Sequence, residues 1–256
     1  MAKHKRVLIL GGIRDSLTLI ALASTIPGLE VINSLAGRTR QSVMAFKPTR
    51  VGGFGGVSGL IDYLREQKID LLIDATHPFA SKISWNAAIA ASKLNIPHLM
   101  LVRPPWKKIE GDHWLEVESN EFAAKVLPEL ASRIFLSIGR QELASYAHLK
   151  DLWFLMRMIE QPELYTSVPL GKILTERGPF SLKEERSLLQ KYKIGAVVSK
   201  NSGGDATYPK VVAARELGIP VVMIQRPFLP EAEQASDVES VVSVSYTHLT
   251  LPTMLW

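Results

Sequence analysis

Short apolar runs alternate with helix-period patterns along this chain, and that alternation constrains the fold more than any other feature. RVLIL (6–10) runs into Gly11-Gly12 and then a stripe through Leu17, Ile20, Ala21 and Ala23. LEVINSLA (29–36) is the second run. GGFGG (52–56) leads into SGLIDYLREQ, where Ser58 is placed to cap a helix with the stripe Leu60, Ile61 and Leu64. DLLIDA (70–75) hands over to a helix from Pro78 to about Leu94, and HLMLV (98–102) ends in Arg103-Pro104-Pro105. Strands that alternate with helices in this way form βα units, so the reading is an α/β fold with mostly parallel sheets.

The pattern then restarts. RIFLSIGRQELASY (133–146) repeats the strand, glycine, arginine and helix order of RVLILGGIRDSLTL. WFLMRMI (153–159), KILTE (172–176) and AVVSKNSGG (196–204) supply further strands, and PKVVAAREL (209–217) a helix. AASKLNIPHLMLVRP (90–104) aligns without gaps with AARELGIPVVMIQRP (213–227) through Ala-Ala, Leu, Ile-Pro and Arg-Pro. We read two similar α/β domains, 1–104 and 105–244, with a cleft between them. The prolines, charges and glycine of PPWKKIEGD (104–112) mark an exposed hinge. The segment 245–256 lacks a pattern and is expected to lie outside the fold.

Composition narrows the function classes. The chain has 256 residues, 46% of them hydrophobic and 21% charged, which suits a packed core rather than disorder. It has no cysteine, so disulfides, thiolate catalysis and cysteine metal sites are excluded. No apolar run has membrane-spanning length, and Val7–Leu10 is too short for a signal peptide, so a cytoplasmic protein is expected. The net charge of +5 favours anionic partners. The basic residues form no stripe and interleave with no aromatic platform, which argues for a small polyanion over nucleic acid. No H-E-x-x-H or histidine cluster suggests a metal, and neither G-x-S-x-G nor a P-loop lysine occurs.

The candidate residues cluster where strands hand over to helices, the ligand-binding end of parallel sheets. Gly11, Gly12, Ile13, Arg14, Asp15 and Ser16 occupy the first such turn. Glycine permits close approach of a pyrophosphate, and the helix N-terminus supplies N–H groups and positive potential. The match to G-x-G-x-x-G is partial, and a plain strand–helix turn is the alternative. The second strand ends in Ser34-Leu35-Ala36-Gly37-Arg38, without the carboxylate that bonds a ribose 2′-hydroxyl. Arg38 suits a 2′-phosphate, which favours NADP over NAD; a solvated arginine is the alternative. Gly53 and Phe54 fit a loop against a flat ligand, or simply a flexible turn. Pro78 forces His77 out of helical geometry, so Thr76 and His77 lie just before a helix, either facing a ligand or with Thr76 or Asp74 closing the turn. Lys200, Asn201, Ser202, Gly203 and Gly204 offer a carboxylate cradle or a polar loop, and Tyr208-Pro209 opens the next helix. Arg103, Arg140, Arg157 and Arg226 fall at or near strand ends, for anions or for partners among Asp and Glu.

LILGGIRDS, SLAGR, GGFGG, DATHPFA, RPPW, IGRQEL, ERGPF, KNSGG and YPKVVAARELGIPVV, in this order from about residue 6 to 227, resemble the precorrin-6A reductases of cobalamin biosynthesis. Ile13 departs from the threonine usual in that family. The resemblance implies reduction of one double bond of precorrin-6A, or of cobalt-precorrin-6A, by NADPH or NADH to give the precorrin-6B product. It also implies two Rossmann-like domains, 1–104 binding NADP and 105–244 on the substrate side of the cleft, and a polycarboxylate macrocycle as substrate, with no nucleic-acid or membrane partner; no residue pattern bears on oligomeric state. On that basis Gly11–Ser16, Gly37 and Arg38 would hold the cofactor, with Gly53, Phe54, Thr76 and His77 near its nicotinamide. Arg103, Arg140, Lys200–Gly204 and Arg226 would hold the carboxylates, and Lys200, Tyr208, His77 or water would deliver the proton. The rival readings are a reductase of another anionic conjugated substrate and a non-catalytic NADP-sensing module.

Overall fold

A computed structural model of the chain describes residues 4–36 and 48–250. Gly37 and Arg38 lie outside the described residues. The fold has two compact units, Met1–Arg103 with Phe228–Trp256, and Pro104–Pro227.

The first unit runs β1 (Lys5–Leu10), α1 (Arg14–Ala23), β2 (Leu29–Leu35), β3 (Thr49–Val51), α2 (Gly56–Glu66), β4 (Leu71–Asp74), α3 (Ser81–Leu94) and β5 (His98–Leu101). The second runs β6 (Trp114–Val117), α4 (Asn120–Leu130), β7 (Arg133–Ser137), a 3-10 segment over Arg140–Tyr146, β8 (Trp153–Met158), β9 (Gly171–Thr175), α5 (Leu182–Lys191), β10 (Ala196–Lys200), α6 (Pro209–Glu216) and β11 (Val221–Ile224). The chain then returns to the first unit with β12 (Glu233–Ala235) and α7 (Val238–Thr250).

The sheets have strand orders β12-β5-β4-β1-β2-β3 and β6-β11-β10-β7-β8-β9, and every described pairing is parallel. Each is the doubly wound order, with a topological switch point beside β1 in one sheet and β7 in the other. The two aligned segments, 90–104 and 213–227, occupy equivalent places on α3–β5 and α6–β11. The central strands are continuous apolar runs because helices cover both faces: Leu8, Ile9, Leu71 and Leu72 are buried in one sheet, Ile134, Phe135, Val197 and Val198 in the other.

Three expectations need correction. The domain boundary at 244 gives way because the sixth strand of the first sheet, β12, comes from beyond the second unit. β12 pairs with β5, and Val241 of α7 is buried in one cluster with Leu19, Ile20 and Leu99, so 228–250 belongs to the first unit. Residues 245–250 are the last turns of α7 rather than a loose tail: Ser245 is buried and its hydroxyl donates to Val241 O at 2.6 Å. The 104–112 segment is tied down at Trp106, which packs with the second unit's core and whose N–H donates to Asn201 Oδ1 at 2.8 Å.

Two helix starts also move. The residue before α2 is Gly55, at φ 80°, and Ser58 lies inside the helix. α3 starts at Ser81 rather than Pro78, because side-chain hydrogen bonds hold residues 74–80 in tight turns. Among the described residues no helix is long and apolar enough to cross a membrane.

Candidate functional site

In the first unit the strand register places Leu10, Asp74 and Met100 side by side, with Ser34 next to Leu10. The turns that follow these positions therefore share the carboxyl edge of the sheet. Gly11 has no room for a side chain: a Cβ there would lie 2.9 Å from Ser16 Oγ and 3.3 Å from Asn33 Oδ1. Gly12 has φ 133°, and a Cβ on it would meet nothing within 4 Å. Ile13, before α1, is extended and provides no side-chain cap. A cramped first glycine, open space at the second and uncapped first-turn N–H groups are the features a pyrophosphate needs. The turn fits the diphosphate of a dinucleotide.

The side chains of this turn divide. Ser16 is fully buried; its Oγ accepts from Gly12 N–H at 3.1 Å and donates to Ile13 O at 2.7 Å, so it shapes the turn from within. Arg14 is exposed. Asp15 pairs with Arg103 at 3.1 Å, which places Arg103 beside the first unit's turn.

The GGFGG loop is built around an arginine that sequence reasoning missed. Arg50 lies 3.9 Å from the Phe54 ring centre and 5.2 Å from that of Tyr63. It donates to Gly53 O at 2.8 Å and also to Gly52 O. Gly53 is exposed, and one face of Phe54 is covered by the guanidinium. Its only sequence signal is its place just ahead of the glycines.

At the end of β4, Asp74 is 2% exposed. Its Oδ1 accepts from the Thr76 N–H at 3.0 Å and from the Thr76 hydroxyl at 2.6 Å. His77 Nδ1 accepts from the Phe79 N–H at 3.2 Å, so the neutral ring carries its proton on Nε2. Asp74, Thr76, His77 and Pro78 line a small pocket with Ser84, Met100, Leu101, Val102 and Leu229. Nearby His98 is held below the usual imidazole range by burial, against the opposing charge of Asp74.

In the second unit Lys200, at the end of β10, pairs with Glu142 at 2.5 Å, and Arg140 pairs with Glu160 at 3.3 Å. Asn201 and Trp106 exchange hydrogen bonds at 2.8 and 3.1 Å, and Trp106 Nε1 donates to Gly204 O at 2.9 Å. Gly203, at φ 67°, faces Pro104 O, which would lie 2.1 Å from an added Cβ. Arg226 Nε donates to Asn201 O at 2.8 Å, and Ser202 is buried. The Asn201–Gly204 loop thus grips the 104–106 segment, while Lys200 just before it and Arg140 each have an acidic partner. Tyr208 precedes α6; its oxygen accepts from Arg215 at 3.0 Å, and Arg215 also pairs with Asp112 at 2.8 Å.

Behind this mouth is a buried group that sequence reasoning did not assemble. Arg157 and Glu185 pair at 2.6 Å, and Arg157 lies 3.7 Å from the Phe180 ring centre. Lys210 is 3% exposed and donates to Thr207 O at 3.1 Å. Burial pulls its ammonium down to about 7, with Arg157 adding to the effect and Glu185 opposing it. Among the described residues no cluster of three or more His, Cys, Asp or Glu is placed to hold a metal.

The structure therefore brings Gly11–Ser16, Arg103, Thr76 and His77 to one sheet edge, and Arg140, Lys200–Gly204, Tyr208 and Arg226 to positions within the other unit. The family model described as "Precorrin-6x reductase CbiJ/CobK" matches residues 6–245. A precorrin-6A reductase of Rhodococcus erythropolis is 45% identical over 91% of this chain and 93% of its own length. One of Rhodobacter capsulatus is 37% identical over 96% of this chain and 98% of its own. A cobalt-precorrin-6A reductase of Methanothermobacter thermautotrophicus is 32% identical over 84% and 78%. The solved structure "CobK precorrin-6A reductase" superimposes with a TM-score of 0.89 at 35% identity, covering 97% of this chain and 99% of its own.

Proposed function

This chain belongs to the precorrin-6x reductase family, and from that premise we propose that it adds a hydride and a proton across one double bond of precorrin-6A, giving precorrin-6B in cobalamin biosynthesis. The observation that carries the proposal is likeness over both units, since a sensor would need the first alone. Relatives at 37–45% identity are named for the metal-free substrate, and those at 30–32% for the cobalt form, which favours metal-free precorrin-6A here.

A reduced nicotinamide supplies the hydride when bound. The chain's own part is positioning, because a conjugated macrocycle is already a good hydride acceptor. The Gly11–Gly12 turn and the first N–H groups of α1 hold the diphosphate. Asp15 would repel that anion but is offset by Arg103. The described end of β2, Ser34-Leu35-Ala36, has no carboxylate, which suits NADPH better than NADH and leaves Arg38 as the 2′-phosphate partner. In the second unit Lys200 and Arg140 attract the carboxylates of the macrocycle. Lys200, held in place by Glu142, is the proton donor we favour over Tyr208 and His77.

Mixing the purified protein with NADPH and precorrin-6A should oxidise the cofactor and shift the macrocycle's absorbance. No turnover with either the metal-free or the cobalt substrate overturns the proposal. Arg38→Ala should weaken NADPH binding about tenfold or more while sparing NADH, as expected for loss of a charge-assisted contact to phosphate. Equal losses would place the 2′-phosphate elsewhere.

A further inference from the structure

We propose that Asp74 and Thr76 form a reader for the carboxamide of the nicotinamide, selecting its N–H donor and rejecting an anion in its place. This rests on the nicotinamide reading above and adds the group that the β4 mouth recognises.

A threonine hydroxyl has one proton, and here Asp74 Oδ1 takes it at 2.6 Å. The second bond to the same oxygen, from the Thr76 N–H at 3.0 Å, fixes the geometry. Thr76 Oγ1 is left to face any further partner with lone pairs alone. Asp74 Oδ2 is also buried and has no hydrogen-bond partner among the described residues. Both side chains line the same pocket, whose other walls are Pro78, Met100, Leu101, Val102 and Leu229 together with the polar His77 and Ser84. The Asp74–Thr76 side of the mouth thus offers acceptors and a buried negative charge, with an imidazole, a hydroxyl and apolar surface around them. A phosphate or substrate carboxylate would meet like charge there, whereas a flat neutral group with N–H donors would not.

The sheet decides which end of the dinucleotide this is. In doubly wound folds the ribose contact lies at the end of the second strand, so adenosine lies on the β2–β3 side. β4 is on the opposite side of the switch point from β2. The half that reaches β4 is then the nicotinamide half, and its carboxamide NH2 is the donor that suits Thr76 Oγ1. Asp74 is a positioning residue in this scheme, since it turns the Thr76 hydroxyl.

Dissociation constants measured by titration calorimetry would test this, using NADPH, its reduced 3-acetylpyridine analogue (methyl for NH2) and its reduced nicotinic acid analogue (carboxylate for amide). The wild-type protein should bind NADPH about tenfold tighter than the acetyl compound, one hydrogen bond's worth, and bind the carboxylate compound more weakly still. Thr76→Val should bring the NADPH-to-acetyl ratio near one, and Thr76→Ser should restore it. A tenfold ratio that persists in Thr76→Val overturns the inference. If Thr76→Val does not fold, the wild-type series decides: carboxylate binding equal to or tighter than acetyl overturns it. Wild-type protein that binds none of the three overturns the nicotinamide reading itself.

Discussion

Single side chains in this protein are often committed to neighbours that sequence order hides. Arg103 and Arg140 lie just past the ends of β5 and β7, yet each has a carboxylate, Asp15 and Glu160, at 3.1 and 3.3 Å. Lys200 likewise holds Glu142. If Lys200 delivers the proton, Lys200→Met should lower kcat by about a hundredfold or more, the range removed with a general acid. The cofactor's dissociation constant should stay unchanged, and stopped-flow turnover with parallel titration separates the two. Lys210 gives a pH-dependent prediction. Its pKa is near 7 in the folded chain against an ordinary 10.5, so between these values the unfolded chain binds more protons. Its contribution to stability is therefore lowest below pH 7 and rises as pH increases toward 10.5. Replacing it by methionine should flatten that slope and raise the melting temperature most at and below neutral pH, as thermal melts across pH would record.

At the scale of elements, the strand–helix mouths were legible wherever a continuous apolar run met a glycine or polar turn. β1, β2, β4, β5, β7, β8, β10 and the helix start at Pro209 are all visible this way. β6 and β12 are not, because WLEV buries only its ends and EQA only its alanine; both are held as strands by pairing rather than by apolar pattern. Inside the mouths, residue type was readable and orientation was not. Ser16 and Asn201 look like ligand contacts in sequence, yet one is turned into its own loop and the other holds Trp106. Gly11 is the element-scale test. Gly11→Ala would press a methyl group against Ser16 and Asn33 and shift the turn. Overpacking of this kind costs about 1 to 3 kcal/mol. Cofactor affinity should fall by about tenfold, the same free-energy scale, in a binding titration; unchanged affinity would mean the diphosphate is held elsewhere.

For the whole molecule, the return of β12 and α7 to the first unit changes what counts as a domain. Residues 1–104 lack β12 and α7, and so would expose Leu19, Ile20 and Leu101, which cluster with Val241. The 104–227 segment keeps all six strands of its own sheet. By circular dichroism and thermal melting, 104–227 should unfold cooperatively in isolation. The 1–104 fragment should not, and joining 228–250 to it should restore a cooperative transition. A sensor and a reductase are therefore better told apart in the full chain, by altering the Lys200–Gly204 loop, than with the first hundred residues alone.

The alternation of apolar runs and helical stripes determined the α/β class, the parallel sheets and the strand-end turns where the candidate residues sit. Each of those follows from periodicities a few residues long, which sequence records directly. Tertiary structure decided which sheet receives β6 and β12, which carboxylate each strand-end cation faces, and which way Ser16, Thr76 and Asn201 turn. Those outcomes depend on residues brought together from distant parts of the chain, such as Arg103 with Asp15 and Trp106 with Asn201, and local spacing carries no record of such pairings.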